Sequence, residues 1–339
     1  MKHRPFKHII ISRTDSIGDV VLTLPLAGLL KEKYPGCKIT FLGRAYTGSV
    51  VALSRHVDAF LDWDEIRPLV FQDQVERFRS LAADLIIHVY PVRIIGCIAK
   101  KAGIPLRLGT TNRWFHWISC NRLVALGRRR SPLHEAQLNV KLIRSLTGIA
   151  DVSLDDLAEY YGFRDPAAPE KKTDELFDPK RFNLIIHPKS KGSAREWGLE
   201  NFRRLIGLLP SERYNILITG TEEEGIEIRE SLLFEEHPGV VDLTGKLTLQ
   251  GLISVINRSD GLLAASTGPL HIAAALGKYA VGIYPPIRPM HPGRWAPFGP
   301  RASYLVKEET CSDCRKNMDC HCIREITPEQ VMEHFAKIM

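Results

Sequence analysis

"HIIISRTDSIGDVVLTLPLAGLLKEKYPGCKITFLG", His8 to Gly43, sets the pattern by which the chain is read. An apolar run, His8–Ser12, ends in polar residues. Gly18 and Asp19 follow, and an apolar-periodic segment, Val20–Lys33, begins at once, with Leu22, Leu26, Leu29 and Leu30 at helical spacing. Pro25 falls inside it, so the helix starts late or kinks there. A glycine at a strand-to-helix turn lets a phosphate approach the backbone. Yet Asp19 places a negative charge where an anion would sit. It is either a helix cap or a group that does chemistry.

The same alternation runs along most of the chain. Candidate strands in the first half are His8–Ser12, Lys38–Leu42, Asp84–Val89 and Leu106–Leu108. The stretch "FRDPAAPEKKTDELFDPK", Phe163–Lys180, is rich in proline and charge and reads as a linker. Strand patterns then resume at "FNLIIHP", "YNILITG", "VVDLTG", "GLLAAST" and "YAVGIYP". The last segment, "ITPEQVMEHFAKIM", carries Thr327 at a cap, Pro328 at the first helical position and Gln330 three residues after the cap. Strands alternating with helices argue for parallel sheets covered on both faces. The 339 residues allow two such domains. The expected fold is α/β, with two Rossmann-like domains facing a cleft. The expected boundaries are an N-terminal domain over 1–165, a linker over 166–180, a C-terminal domain over 181–326 and a terminal helix over 327–339.

Ligands of such sheets lie beyond the carboxyl ends of the strands. Neither G-x-G-x-x-G after a strand nor G-x-x-x-x-G-K-[ST] is present, which argues against an NAD enzyme or a P-loop NTPase. The sharpest turn is "ASTGPLHIAAALGK", Ala265–Lys278. There a strand ends, Ser266 and Thr267 offer hydroxyls, Pro269 fits the first helical turn, and the helix start favours an anion. A plain helix cap accounts for the same residues. "HPKSKGSAREWGLENF" adds Lys189, Lys191 and Arg195, cations suited to a diphosphate. "ITGTEEEG" adds Glu222, a carboxylate suited to ribose hydroxyls. Solvated loop charges remain the alternative at both.

The chain has a net charge of +7. That suits an anionic ligand or an anionic membrane surface, and it also serves plain solubility. No zinc-finger spacing, RRM-type signature or basic helix points to nucleic acid. The segment Thr110–Arg130 mixes Trp114, Phe115 and Trp117 with Arg113, Arg122, Arg128, Arg129 and Arg130. Such a mixture fits contact at headgroup level, or a packed aromatic cluster beside a solvated loop. No run is long enough to span a bilayer, and the first residues lack the pattern of a secretory signal. The expected location is the cytoplasm, with peripheral contact at the cytoplasmic face of the inner membrane. Cys37, Cys97 and Cys120 are scattered, whereas Cys311, Cys314, Cys320 and Cys322 form C-x2-C-x5-C-x-C. Four thiolates suit a structural zinc, but reduced cytoplasmic thiols fit equally.

Four motifs together resemble glycosyltransferase family 9, the lipopolysaccharide heptosyltransferase-like enzymes of the GT-B fold. They are "RTDSIGDVVLTLP", "REWGLENF", "STGPLHIAAALG" and "CIREITPEQV", in the family's order and spanning nearly the whole chain. The resemblance implies a C-terminal domain that holds a nucleotide-diphosphate sugar and an N-terminal domain that holds a lipopolysaccharide or related glycan acceptor. It also implies inverting transfer without a catalytic metal or cofactor. Asp19 matches the family's general base, with Arg13, Ser16 and Gly18 on the acceptor side. Arg195 stands where the family has a phosphate-binding lysine, and Glu222 matches a ribose-binding glutamate. Thr267, Gly268, Leu270 and His271 match the diphosphate turn and its helix. One departure is Ser266, where the family commonly has an aspartate suited to sugar hydroxyls; this puts heptose as the donor sugar in question. A sugar-nucleotide epimerase of the same architecture would need acid–base groups around the sugar. A non-catalytic sugar-nucleotide-binding relative would not need Asp19.

Overall fold

The computed structural model describes residues 6–128, 131–166, 174–232, 239–288, 290–307 and 320–338. The chain divides into two compact units, Met1–Arg164 and Asp165–Met339. Part of the expected linker, 167–173, lies outside the described residues; Asp174–Leu176 forms a 3-10 turn.

The first unit is built on six parallel strands: β1 (His8–Ser12), β2 (Lys38–Gly43), β3 (Ala59–Asp62), β4 (Leu85–His88), β5 (Leu106–Thr110) and β6 (Arg122–Val124). Their order in the sheet is β3-β2-β1-β4-β5-β6. β1 is buried along its whole length and pairs on both edges, with Ser12 opposite Leu42 on one side and His88 on the other. One face of the sheet packs Ile10, Leu42 and Ile86 against Phe78, Ile95 and Ile98.

The second unit repeats the plan with β7 (Phe182–His187), β8 (Tyr214–Ile218), β9 (Val240–Asp242), β10 (Gly261–Ala265), β11 (Tyr279–Tyr284) and β12 (Ala302–Val306). Their order is β12-β11-β10-β7-β8-β9, again all parallel. In both sheets the chain first winds one way from its opening strand and then crosses to the other side. That is the doubly wound order, with a switch point between β1 and β4 and another between β7 and β10.

Pro25 does not kink a single helix. One helix ends at Val21, and a new one, Pro25–Lys33, starts with the proline at a position that needs no N–H. The break frees the carbonyl of Asp19, and the Thr23 hydroxyl donates to it at 2.8 Å. β3, β6 and β12 were not evident from sequence. All three are edge strands, whose one-sided burial leaves only short apolar runs.

The terminal helix Pro328–Ile338 opens with the expected reciprocal cap: Thr327 N–H donates to Gln330 Oε1 (2.8 Å), and Gln330 N–H to Thr327 Oγ1 (3.3 Å). Val331 and Phe335 belong to the second unit's core. Trp197, from the "REWG" turn, is wholly buried there. Its ring meets Phe202 edge-on at 4.8 Å, and its Nε1–H donates to the Ile326 carbonyl at 2.7 Å. It therefore ties the 320–326 segment to the sheet. Trp197→Ala is expected to cost about 3–5 kcal/mol, the usual range for emptying a large aromatic site. Urea unfolding checks this, and a loss below about 1 kcal/mol would remove Trp197 from that role.

Candidate active site

In the first unit the loop after β1 lies at the switch point. Ser16, in extended conformation, is the cap of helix Ile17–Val21, and Gly18 and Asp19 are its second and third residues. Asp19 is therefore not the N-cap. Ser16 Oγ does not bond the helix backbone but donates to Asp19 Oδ2 at 2.5 Å.

The other Asp19 oxygen pairs with Arg13. Arg13 is only 3% exposed and meets two further carboxylates, Asp15 at 2.8 Å and Glu135 at 3.3 Å. Glu135 also binds Arg128, whose guanidinium donates to Asn139 at 3.0 Å. Asn139 in turn donates to the Leu22 carbonyl and to Thr23, both at 3.2 Å. A buried guanidinium thus joins the β1 loop to helix Glu135–Thr147. Burial works against the Arg13 charge, but Asp19 and Asp15 outweigh it and raise its pKa. Burial pushes Asp15 up to about 6 against the opposing pull of Arg13, and the charge on Asp19 adds to the rise. Arg13 is therefore engaged by acids, while the Asp19 side chain keeps 18% of its surface open to solvent. Asp15, Glu135 and Arg128 carry this arrangement without having been singled out as site residues. Asp15 sits within the quoted motif; the other two had no local signal.

On the opposite side of the switch point, His88 ends β4. Both its ring nitrogens, Ser12 Oγ and His116 Nε2 are buried without hydrogen-bond partners among the described residues. Burial, with His116 nearby, pushes His88 down to about 3, so its ring is neutral at physiological pH.

In the second unit the order β10-β7-β8 places side by side the three turns singled out from sequence. After β7, Lys189 is held by Glu196 (2.9 Å) and Glu227 (3.0 Å). Lys191 lies in the left-handed region and is more weakly paired with Glu223 at 3.4 Å. Arg195 is buried. After β8, Glu222 opens helix Glu222–Leu232 and pairs with Arg229 at 3.3 Å. Gly245 sits directly against it: a Cβ there would lie 1.8 Å from Glu222 Oε2.

The carboxylate that links two of these turns is Glu224, which sequence reasoning passed over. It accepts from Thr221 N–H at 2.9 Å and from Lys191 N–H at 3.0 Å. Burial opposes its charge, yet its bonds to Thr221 bring its pKa below the ordinary value.

After β10, Thr267 caps helix Gly268–Ala275 in extended conformation, and Pro269 occupies the first turn. Leu270 and His271 are buried in that turn. Thr267 Oγ1 is buried, makes no cap bond to the helix, and has no hydrogen-bond partner among the described residues. An unsatisfied hydroxyl beside first-turn N–H groups is an arrangement that an anion completes.

Cys311, Cys314, Arg129 and Arg130 lie outside the described residues. Cys320 is in the second unit's core with Cys322 packed against it. Among the described residues no three His, Cys, Asp or Glu side chains gather as a metal site.

Two doubly wound units of this order are the architecture of the GT-B class. The sequence model of glycosyltransferase family 9 (heptosyltransferase) matches residues 96–322, and the chain belongs to that family. It is 24% identical over 309 residues to the lipopolysaccharide core heptosyltransferase OpsX of Haemophilus influenzae, covering 86% of this chain and 82% of that one. The fold is shared with a family 9 glycosyltransferase of Veillonella parvula, with TM-score 0.77 and 16% identity over 98% and 97% of the two chains. It is also shared with E. coli ADP-heptose lps heptosyltransferase II, with TM-score 0.76 and 18% identity over 98% of each.

The proton balance of Asp15 has a measurable consequence. The folded protein holds this proton up to about pH 6, whereas an ordinary aspartate releases it near 3.8. The associated stability is therefore complete below about pH 4 and is lost as pH rises through 6. Asp15→Asn is expected to raise the melting temperature at pH 8, by the equivalent of at most ~3 kcal/mol, and to change little at pH 4. Arg13→Met strands Asp15 and Asp19 and leaves Glu135 with Arg128 alone, and is expected to cost about 3–5 kcal/mol at neutral pH, with a smaller loss in acid. Thermal unfolding across pH checks both.

Proposed function

We propose that the chain moves a sugar, a heptose or another, from a nucleoside-diphosphate donor to a lipopolysaccharide core or related glycolipid acceptor, with inversion at the anomeric carbon. The observation that carries the donor reading is the buried, unpartnered Thr267 hydroxyl at the start of helix Gly268–Ala275. With the N–H groups of Gly268 and Leu270, it receives the diphosphate. Lys191 and Arg195 add positive charge from the neighbouring turn, and Lys189 joins them by exchanging Glu196 or Glu227 for the diphosphate. Glu222 meets the ribose. Ser266 and His271 flank the sugar and diphosphate positions. ADP is the first nucleotide to test, since E. coli heptosyltransferase WaaC, a structural neighbour of TM-score 0.72, holds ADP-2-deoxy-2-fluoro heptose.

Asp19 is the base. Ser16 and Arg13 orient its carboxylate, and Gly18, without a side chain, leaves room beside it for the acceptor. The acceptor hydroxyl gives its proton to Asp19 as its oxygen attacks the anomeric carbon. The bond from that carbon to the diphosphate oxygen breaks, and the electron pair leaves with the diphosphate, whose charge the Thr267 turn stabilises. Each step is assigned to side chains and backbone of this chain, with no cofactor. The acceptor is met at the cytoplasmic face of the inner membrane; no helix among the described residues is long and apolar enough to cross it.

A thermal-shift series with ADP, GDP, UDP and CMP tests the donor site. One nucleoside diphosphate is expected to raise the melting temperature by the equivalent of ~2.7 kcal/mol at a hundredfold excess over its Kd. No response at millimolar concentration from any of them would sink the reading. Asp19→Asn is expected to keep that response while lowering kcat about 10²–10⁴-fold, measured as sugar transfer to lipopolysaccharide extract. Unchanged kcat would remove Asp19 from the role of base.

A further inference from the structure

The charge of this chain is unevenly placed. Between Asp84 and Glu135 lie fifty residues without a single acid, carrying nine lysines and arginines. The remaining 289 residues hold 37 cations against 39 acids. The excess charge of the whole protein thus sits in the stretch that forms β4, β5, β6 and the helices between them.

The apolar surface is placed there too. Of the twelve large apolar or aromatic side chains exposed among the described residues, five fall in this stretch: Tyr90, Ile94, Trp114, Trp117 and Ile118. Trp114, Trp117 and Ile118 are 62%, 64% and 61% exposed. They lie on and just before the short helix His116–Ser119, which rests on helix Arg93–Lys101. Gly96 permits that closeness, since a Cβ there would stand 2.7 Å from Ser119 Oγ. Exposed Ile94 and Arg93 begin the longer helix, and the Arg93 guanidinium lies 5.0 Å from the centre of the Trp114 ring. Lys100 Nζ donates to the Ile118 carbonyl at 2.9 Å. The adjoining helix Phe71–Arg79 brings Asp73 and Glu76, balanced by Arg77 and Arg79. Trp117 is held outward with its Nε1–H on the Thr111 carbonyl at 3.0 Å.

We propose that this face, with Trp114, Trp117 and Ile118 at its centre and Arg93, Lys100 and Arg113 around them, docks on an anionic phospholipid bilayer. Exposed indole rings, a small apolar patch and a rim of cations match the boundary between acyl chains and headgroups. Charge complementarity selects that occupant over a second copy of this chain, which would bring its own Arg93, Lys100 and Arg113 against these. The proposal goes beyond the sugar-transfer reading by assigning a surface. It uses that reading only in taking the acceptor to be lipid-anchored.

The test is flotation of the full chain with vesicles of phosphatidylglycerol and phosphatidylethanolamine, and with vesicles of phosphatidylcholine alone. Wild type is expected to float with the anionic vesicles and to be released by salt, because screening shortens the reach of the rim charges. Trp114→Ser/Trp117→Ser/Ile118→Ser is expected to stay at the bottom. Arg93→Glu/Arg113→Glu is expected to bind weaker by roughly fivefold or more per charge. Both variants should keep the wild-type melting temperature and nucleotide response. Equal flotation of the triple variant, equal binding to neutral vesicles, or no flotation of wild type overturns the proposal. So does sedimentation velocity showing a dimer that the triple variant dissolves while vesicle binding is unchanged. Vesicle binding needs no nucleotide: flotation without a nucleotide response sinks the sugar-transfer reading and leaves this one standing.

Discussion

Where a parallel sheet changes its direction of winding, the two crossovers leave the central strands toward opposite faces. Right-handed connection makes this unavoidable, and it leaves the carboxyl ends of the two central strands uncovered. The chain meets that constraint twice, between β1 and β4 and between β7 and β10. Three of the four proposed site elements follow one of those strands: the Arg13–Asp19 loop after β1, the Lys189–Arg195 turn after β7 and the Ser266–Leu270 turn after β10; the Glu222 turn follows β8. Chemistry is concentrated where backbone cannot close over itself.

The two switch points are filled in different ways. In the first unit a single buried guanidinium is shared by Asp15, Asp19 and Glu135. Such clusters are poor sources of stability, because burial of each charge costs nearly what the pairing returns. What the cluster does provide is position: Asp19 is gripped by Arg13 on one oxygen and by Ser16 on the other, yet stays partly open. In the second unit the turn after β10 is left incomplete, with a hydroxyl that nothing among the described residues satisfies. In the proposed reading the first site supplies the held base and the second receives the anion. Transfer from an anionic leaving group to a hydroxyl needs both.

The cationic, aromatic face of the first unit belongs to the same economy of placement. Its exposed indoles stay out of the core because the short helix His116–Ser119 turns only one side, His116 and Ser119, toward the sheet and its helix. Trp117 and Ile118 are left on the far side by helical geometry alone.

Much of the fold was legible because central parallel strands are continuous apolar runs. β1, β2, β4, β5, β7, β8, β10 and β11 are all visible in the sequence, as are the short edge strand β9 at "VVDLTG" and the cap of the last helix. The edge strands β3, β6 and β12 were not, since a strand buried along one edge needs fewer apolar residues. The residues of the three turns in the second unit could be named because strand ends are local features. What they face could not: Lys189 turned out to be gripped by Glu196 and Glu227, and Glu224, beside the chosen Glu222, ties two turns together. The quoted opening stretch determined by itself a strand, a break at Pro25 and an acid one turn into a helix, because these depend on neighbours within a few residues. Only tertiary structure decided that Glu135, more than a hundred residues on, would share the guanidinium that holds Asp19, because a buried charge must find its counter-ions in space and not along the chain.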